Sequence, residues 1–351
     1  MKTAIKQMNN NDIVMGFWAN LPKSFKILAP MADVTDAAFR AIVAKYSRMG
    51  KPGGGPDVLY TEFVAADGLF SDVGRPNLMH MFKYQAENRP IVAQIFSSDP
   101  IKMESAARLC VELGFDGIDL NMGCPERNIC KQGAGSAMIQ TPELAQEVIL
   151  AAKRGAGNIP VSVKTRIGWT QNEIETWIPA ILDCDVAAII LHGRTRKEMS
   201  KVPARWDDIA RAAEIVRASG KPTKFVGNGD VVSVEQADEY TEKYQVDGVM
   251  IGRGIFGTPW LFDTERNSVS IDERLEIMLE HTRLFLKLLP NKNFNIMKKH
   301  YKAYVSGFDG ARELRGKCME ANSYDEIEKH VYKFLRKKKN FIERVINIFR
   351  K

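Results

Sequence analysis

Apolar runs rich in β-branched residues recur between residues 25 and 251, and each ends in polar or glycine-bearing sequence. They predict strands at Phe25–Met31, Val58–Phe63, Ile91–Phe96, Gly117–Asn121, Val161–Arg166, Ala188–His192, Lys224–Gly227 and Gly248–Ile251. Between them the apolar period lengthens to that of a helix. Asp99-Pro100 and Thr141-Pro142 each set a capping side chain before a proline at the first helical position, where the missing N–H costs nothing. Strands alternating with helices imply a parallel sheet covered by helices. Eight such units, in roughly the 250 residues a barrel needs, predict an α/β fold of the (β/α)8 TIM-barrel type. An open doubly wound sheet would carry a Gly-x-Gly-x-x-Gly turn after its first strand. Here that turn reads Ala29-Pro30-Met31-Ala32-Asp33. The Gly53-Gly54-Gly55 run lacks the Gly-Lys-Ser/Thr of a phosphate loop and is read as a plain loop before the second strand.

Past Pro259-Trp260-Leu261-Phe262 the pattern becomes helical throughout. Leu275, Met278, Leu279, Thr282, Leu286 and Leu289 form one stripe, and Phe294, Met297, Tyr301, Tyr304 and Val305 form another. Ser270 with Glu273, and Ser323 with Glu326, have capping-box spacing. Two domains are expected: a barrel over residues 1–266 and a small all-helical domain over residues 267–351.

Hydrophobic content is 45% and charged content 26%, values that place the chain among ordinary soluble globular proteins. No apolar run approaches the ~18–20 residues of a membrane-spanning helix. Met1 to Asn11 has lysines but no apolar stretch, so no signal peptide is read there. Five cysteines, an odd number without framework spacing, suit a reduced cytoplasmic protein. Charge changes the picture more. Residues 267–351 hold 19 Lys/Arg against 11 Asp/Glu, a net +8, so the preceding 266 sum to −1. A near-neutral barrel with a basic tail points to a polyanionic partner for the tail, although a solubilising helical face would carry the same charge.

Barrels of this type hold their active sites at the C-terminal ends of the strands. Those ends place Gln94, Asn121, Lys164 with Arg166, His192 and Asn228 where apolar residues would be the default. One polar strand end is more often structural; five converging on one mouth are a site. The seventh and eighth strands run into Gly227-Asn228-Gly229-Asp230 and Gly252-Arg253-Gly254, at the usual phosphate-binding loops of these barrels. A phosphate-bearing cofactor is expected there, with Lys164 placed to stabilise negative charge on a reduced flavin. Cys110 and Cys184 lie in apolar helical patterns and read as filler. Cys124 lies between glycine and proline just past the fourth strand and reads as active, with Cys130 as its rival. No metal ligand set is assigned, because the two cysteines lack a second pair or matching histidines.

These residues together make the chain resemble the tRNA-dihydrouridine synthase family. The resemblance rests on Leu28-Ala29-Pro30-Met31-Ala32, Tyr60-Thr61-Glu62, Val92-Ala93-Gln94-Ile95-Phe96 and Gly117-Ile118-Asp119-Leu120-Asn121-Met122-Gly123-Cys124-Pro125. It continues through Val163-Lys164-Thr165-Arg166, His192-Gly193-Arg194-Thr195-Arg196, Asn228-Gly229-Asp230 and Gly252-Arg253-Gly254, in order over residues 27–262. The resemblance implies FMN as cofactor, NADPH or NADH as reductant, and tRNA as substrate. It implies that Pro30, Met31 and Ala32 cradle the flavin ring, that Gln94, Lys164 and His192 contact it, and that Asn228, Gly229, Asp230, Gly252 and Arg253 hold the ribityl phosphate. It implies hydride transfer from flavin N5 to uracil C6 and protonation of C5 by Cys124. Asn121, Arg166 and Arg196 are expected on the substrate, with Arg194 and Lys197 also on the rim. Lys298, Lys299, Lys302 and the run Arg336-Lys337-Lys338-Lys339 are the basic groups of the expected RNA-binding tail. Lys197-Glu198-Met199-Ser200-Lys201 departs from the commoner family loop over the substrate. Two other classes of function compete: an FMN barrel reducing a small molecule, and a non-catalytic RNA-binding protein with a structural flavin.

Overall fold

The structure is a computed structural model that describes residues 13–266 and 268–349, with side chains described to residue 338. Its strands are β1 (Phe25–Leu28), β2 (Leu59–Ala65), β3 (Ile91–Phe96), β4 (Gly117–Met122), β5 (Val161–Arg166), β6 (Ala188–His192), β7 (Lys224–Asn228) and β8 (Gly248–Ile251). The helices over the first half are α1 (Ala37–Tyr46), α2 (Ala66–Leu69), α3 (Gly74–Leu78), α4 (Pro100–Glu112), α5 (Arg127–Lys131) and α6 (Pro142–Ala156). They continue with α7 (Ile174–Leu182), α8 (Trp206–Ala218), α9 (Val234–Tyr244), α10 (Ile271–Leu288), α11 (Met297–Tyr304), α12 (Ala311–Glu320) and α13 (Tyr324–Phe349).

All strand pairs are parallel, in the order β1-β8-β7-β6-β5-β4-β3-β2. A bridge between Ile27 and Val58 closes the ring, with Leu28 N–H donating to the Val58 carbonyl at 3.2 Å. This is the expected α/β barrel followed by helices. Strand β1 stops at Leu28, short of the expected Met31: Pro30 has no N–H for the ladder, and Met31 N–H turns to Thr35 Oγ1 at 2.9 Å. Asp36 and Asp99 cap α1 and α4 through two backbone N–H groups each. Thr141 makes no such bond, so Pro142 alone starts α6.

Successive strand residues face the barrel interior and the helices in turn. Inside, Ile27, Tyr60, Val92, Ile190, Val226 and Met250 pack above Trp18 and Phe25. Trp18 is fully buried on a short turn (Gly16–Asn20) and stacks on Phe17 at 4.9 Å. Gly16 and Gly117 lie against Pro160 and Phe17 respectively, so this segment crosses the N-terminal strand ends and floors the barrel.

Helices α10 to α13 bury a cluster of their own, including Leu275, Met278, Tyr301, Tyr304 and Leu314, and share it with Ala38 and Ile42 of α1. The α10 stripe differs from expectation at one position. Phe285 is buried and Leu286 is exposed, because a straight helix brings i+3 from Thr282 onto the buried face. Ser270 and Ser323 accept N–H from Glu273 and Glu326 as their spacing predicts. Among the described residues no helix is long and apolar enough to cross a membrane.

Candidate active site

Parallel register brings the polar strand ends to one level. Gln94 pairs beside Asp119, Asn121 beside Lys164, Arg166 beside His192, and His192 beside Asn228. The interior is therefore apolar below and polar above.

On the β3–β5 side the polar groups form one hydrogen-bonded chain. Ser162 Oγ donates to Asp119 Oδ1 at 2.6 Å and Gln94 Nε2 to Asp119 Oδ2 at 2.7 Å. Asn121 Nδ2 donates to Gln94 Oε1 at 3.1 Å, while Asn121 Oδ1 accepts N–H from Gly123 at 3.2 Å and Cys124 at 2.9 Å. Burial raises the Asp119 carboxyl to about 6 against the opposing pull of those donors and of Lys164. The Cys124 thiol is half-buried, and burial raises its pKa. The Cys130 sulfur is committed elsewhere, 3.6 Å from the Cys124 carbonyl and 3.4 Å from Ser136 Oγ.

On the β5–β8 side a cavity of about 510 Å³ opens at the mouth, lined by Pro30, Met31, Lys164, Arg166, His192 and the two glycine loops from Asn228 and Gly252. Lys164 Nζ donates to Asn228 Oδ1 at 3.1 Å, and Asn228 Nδ2 donates to the Met250 carbonyl at 2.8 Å. Burial, then Arg166, pulls Lys164 down to about 8. Burial and four neighbouring cations hold His192 neutral. Arg194 can only donate, so the His192 Nε2 it meets at 3.0 Å is the acceptor and Nδ1 carries the proton. Gly229 has φ +136°, and a Cβ there would lie 2.6 Å from Ala204 Cβ and 3.2 Å from His192 Cδ2. Only glycine fits that turn. Asp230 accepts N–H from Ala204 at 2.8 Å and pairs with Arg253 at 3.2 Å and with Arg194.

A sequence profile of the dihydrouridine synthase family matches residues 27–339. The chain belongs to the dihydrouridine synthase family. Dihydrouridine differs from uridine by two hydrogens, so this dihydrouridine synthase is an oxidoreductase. The match runs through the helical region as well as the barrel. A probable tRNA-dihydrouridine synthase of Staphylococcus aureus (strain MRSA252) is 38% identical over 313 residues, covering 88% of this chain and 93% of that one. Probable tRNA-dihydrouridine synthase 2 of Bacillus subtilis (strain 168) is 38% identical over 330 residues, covering 93% and 99%. Among solved structures, a 2-naphthoyl-CoA reductase complex superposes with TM-score 0.53 at 11% identity, covering 71% of this chain and 50% of that one. Histamine dehydrogenase from Rhizobium sp. 4-9 gives TM-score 0.50 at 13% identity, covering 74% and 48%. The chain spans about half the length of those two structures, which share its barrel fold.

In this dihydrouridine synthase the expected site residues other than Arg196 divide into three places. Pro30, Met31, Lys164, Arg166, His192, Asn228, Gly229, Asp230, Gly252 and Arg253 line the one cavity. Gln94, Asn121 and Cys124 lie beside it on the β3 and β4 ends, with the Gln94 side chain fully buried and bonded to Asp119 and Asn121. Ala32 is exposed outside the lining.

Two rim arginines lie deeper than expected. Arg166 is buried and donates to the carbonyls of Gly123 at 2.7 Å, Met199 at 3.0 Å and Thr195 at 3.3 Å. Arg194 is buried too, bracing the Val202 carbonyl. A guanidinium has five N–H groups in a fixed fork and can satisfy several loop carbonyls at once, which draws it inward. Arg196 remains at the rim, 4.5 Å over the Trp169 ring. Lys299 is paired with Asp33 at 3.2 Å and Lys338 with Asp272 at 2.6 Å; the Lys339 side chain lies outside the described residues. Asp119 joins the strand-end groups without being among the expected site residues; its sign in the sequence is an acid inside an apolar strand.

Proposed function

We propose that this enzyme reduces the C5–C6 bond of particular uridines in tRNA, with FMN held in the mouth cavity, NADPH or NADH as reductant and Cys124 as the proton donor. The observation that carries the reading is the division of the mouth. A cation-lined cavity occupies one side, and on the other a half-buried thiol sits on a loop whose Cys124 N–H donates to Asn121 Oδ1.

The residues suit the cofactor. Lys164 and Arg253 face the cavity as donors, and the ammonium of Lys164 has one acceptor, Asn228, among the described residues. A planar, acceptor-edged, phosphate-bearing ring supplies what that donor set needs. Gly229 and Gly252 bring backbone to the cavity wall, where Arg253 would meet a phosphate. When bound and reduced, the flavin would supply hydride to the uracil ring. The chain's own residues do the rest. Lys164 opposes charge building up at the mouth, and Arg166 holds the loops of Cys124 and Met199 together. Cys124, its thiol kept protonated by burial, gives a proton to C5.

The partner follows from the basic tail and from the two relatives named as tRNA-dihydrouridine synthases. Lys329, Lys333, Arg336 and Lys337 are exposed along α13 at spacings that share one face. A base within a folded RNA must leave its stack to reach a barrel mouth, so grip around the mouth is required.

The test is reduction of unmodified tRNA by protein reconstituted with FMN and supplied with NADPH or NADH, with dihydrouridine mapped at each position. Dihydrouridine at defined sites is the expected result. Flavin binding without any RNA product would move the reading to a small-molecule reductase. A colourless protein that cannot take up FMN would end it.

A further inference from the structure

Four charged side chains meet under the turn that follows β1, and one comes from the helical region. Asp36 and Glu62 are each 1% exposed, and Arg40 is fully buried. Lys292, on the segment between α10 and α11, reaches Glu62 with Nζ 2.9 Å from Oε2 and 3.1 Å from Oε1, and lies 3.9 Å from Asp36 Oδ2. That Asp36 oxygen has no hydrogen-bond partner. Without Lys292, two buried carboxylates would face one guanidinium. Removing one member of such a cluster leaves an uncompensated buried charge.

The cluster also sets the cavity wall. Glu62 Oε1 accepts the Asp33 N–H at 2.7 Å, and Asp33 holds a left-handed φ of +53°. At the other end of the same turn, Met31 N–H donates to Thr35 Oγ1 at 2.9 Å, and the Thr35 carbonyl accepts from Arg40. The cluster thus holds the Met31–Thr35 turn at Asp33, through Glu62, and at the Thr35 carbonyl, through Arg40; Met31, closed onto Thr35, lines the mouth cavity. A second lysine, Lys299 of α11, meets the Asp33 side chain, but that pair is half exposed on both sides. Exposed pairs of this kind contribute little.

We propose that Lys292 is a positioning residue for the cofactor: through Glu62 it fixes the Met31 turn, so the helical region completes the flavin cradle as well as gripping RNA. This rests on the reading of the mouth as a flavin site. It assigns one largely buried side chain of the helical region to the barrel's chemistry.

The test measures FMN release from holoenzyme on dilution, by the rise in flavin fluorescence, at a temperature where unfolding curves show every variant folded. Lys292→Met is expected to weaken FMN retention by about tenfold or more, because Glu62 loses its counter-charge. Lys292→Arg should recover most of it, within about threefold, since a guanidinium can meet the same carboxylate. Lys299→Met, which breaks only the exposed pair on the same turn, should retain FMN like wild type. If Lys292→Met does not fold, the charge-neutral pair Glu62→Gln with Lys292→Met takes its place, and weaker retention is again expected. Wild-type retention in Lys292→Met or in that pair, or equal loss in Lys299→Met, overturns the proposal. Wild-type protein that holds no flavin defeats the cofactor reading itself, and this proposal with it.

Discussion

Lys164 Nζ donates to Asn228 Oδ1 at 3.1 Å, joining the end of β5 to the end of β7 across the barrel mouth. Burial makes this ammonium unfavourable in the free protein and lowers Lys164 to about 8 from an ordinary value of 10.5. Between those two values the unfolded chain binds more protons than the folded one, so stability rises with pH across that window. Below about pH 8 both states carry the proton and the full penalty remains. Flavin-free Lys164→Met should therefore be more stable than wild type at pH 7, by on the order of 1–3 kcal/mol. The gain should shrink as pH rises towards 10.5. Urea unfolding of both proteins at several pH values checks it, and a pH-independent difference would remove the buried charge as its cause. The same substitution should weaken FMN binding.

Cys124→Ala should retain flavin and lose about 10²–10⁴-fold of dihydrouridine formation, the range for removing a general acid. Cys130→Ala should stay within about threefold of wild type, a size that leaves chemistry untouched. The Cys130 sulfur faces the Cys124 carbonyl and Ser136 Oγ. Single-turnover reduction of tRNA by pre-reduced enzyme separates the two, and the reverse pattern would reassign the acid.

Replacing Lys329, Lys333, Arg336 and Lys337 together with glutamine should weaken tRNA binding. It should also flatten the dependence of log Kd on log salt by about one unit for each phosphate that is no longer neutralised. These side chains are exposed on α13, so the fold should tolerate the change. An unchanged slope would move the grip to Arg196 and the barrel rim.

Gly229→Ala places a Cβ 2.6 Å from Ala204 Cβ at a φ of +136°. The expected cost is about 1–3 kcal/mol of stability or a displaced loop. Either way FMN retention should fall, and a yellow, fully stable Gly229→Ala protein would show that the loop is not part of the cradle.

The barrel was legible because its signals are local. Four strands match their expected ranges residue for residue (β3, β5, β6 and β8), since an apolar run bounded by polar groups needs no tertiary context. The mouth was legible because a polar residue closing an apolar strand is costly unless used. Direction and depth were not. Arg166 and Arg194 read as rim groups because sequence shows charge but not the backbone carbonyls that draw a guanidinium inward. Lys292 gave no sign at all, since its partners Glu62 and Asp36 are more than 200 residues away. Leu286 and Phe285 exchanged roles because adjacent large apolar residues leave the phase of a helix ambiguous by one position.

Trp18 closes the floor of the barrel, and an apolar layer packs above it among the described residues. The described cavity opens at the mouth above that layer. On the proposed function, the nicotinamide that loads electrons and the RNA that receives them would both come to the cavity at this mouth. They must take turns, so each excludes the other while bound, and an excess of tRNA should slow reloading of the enzyme.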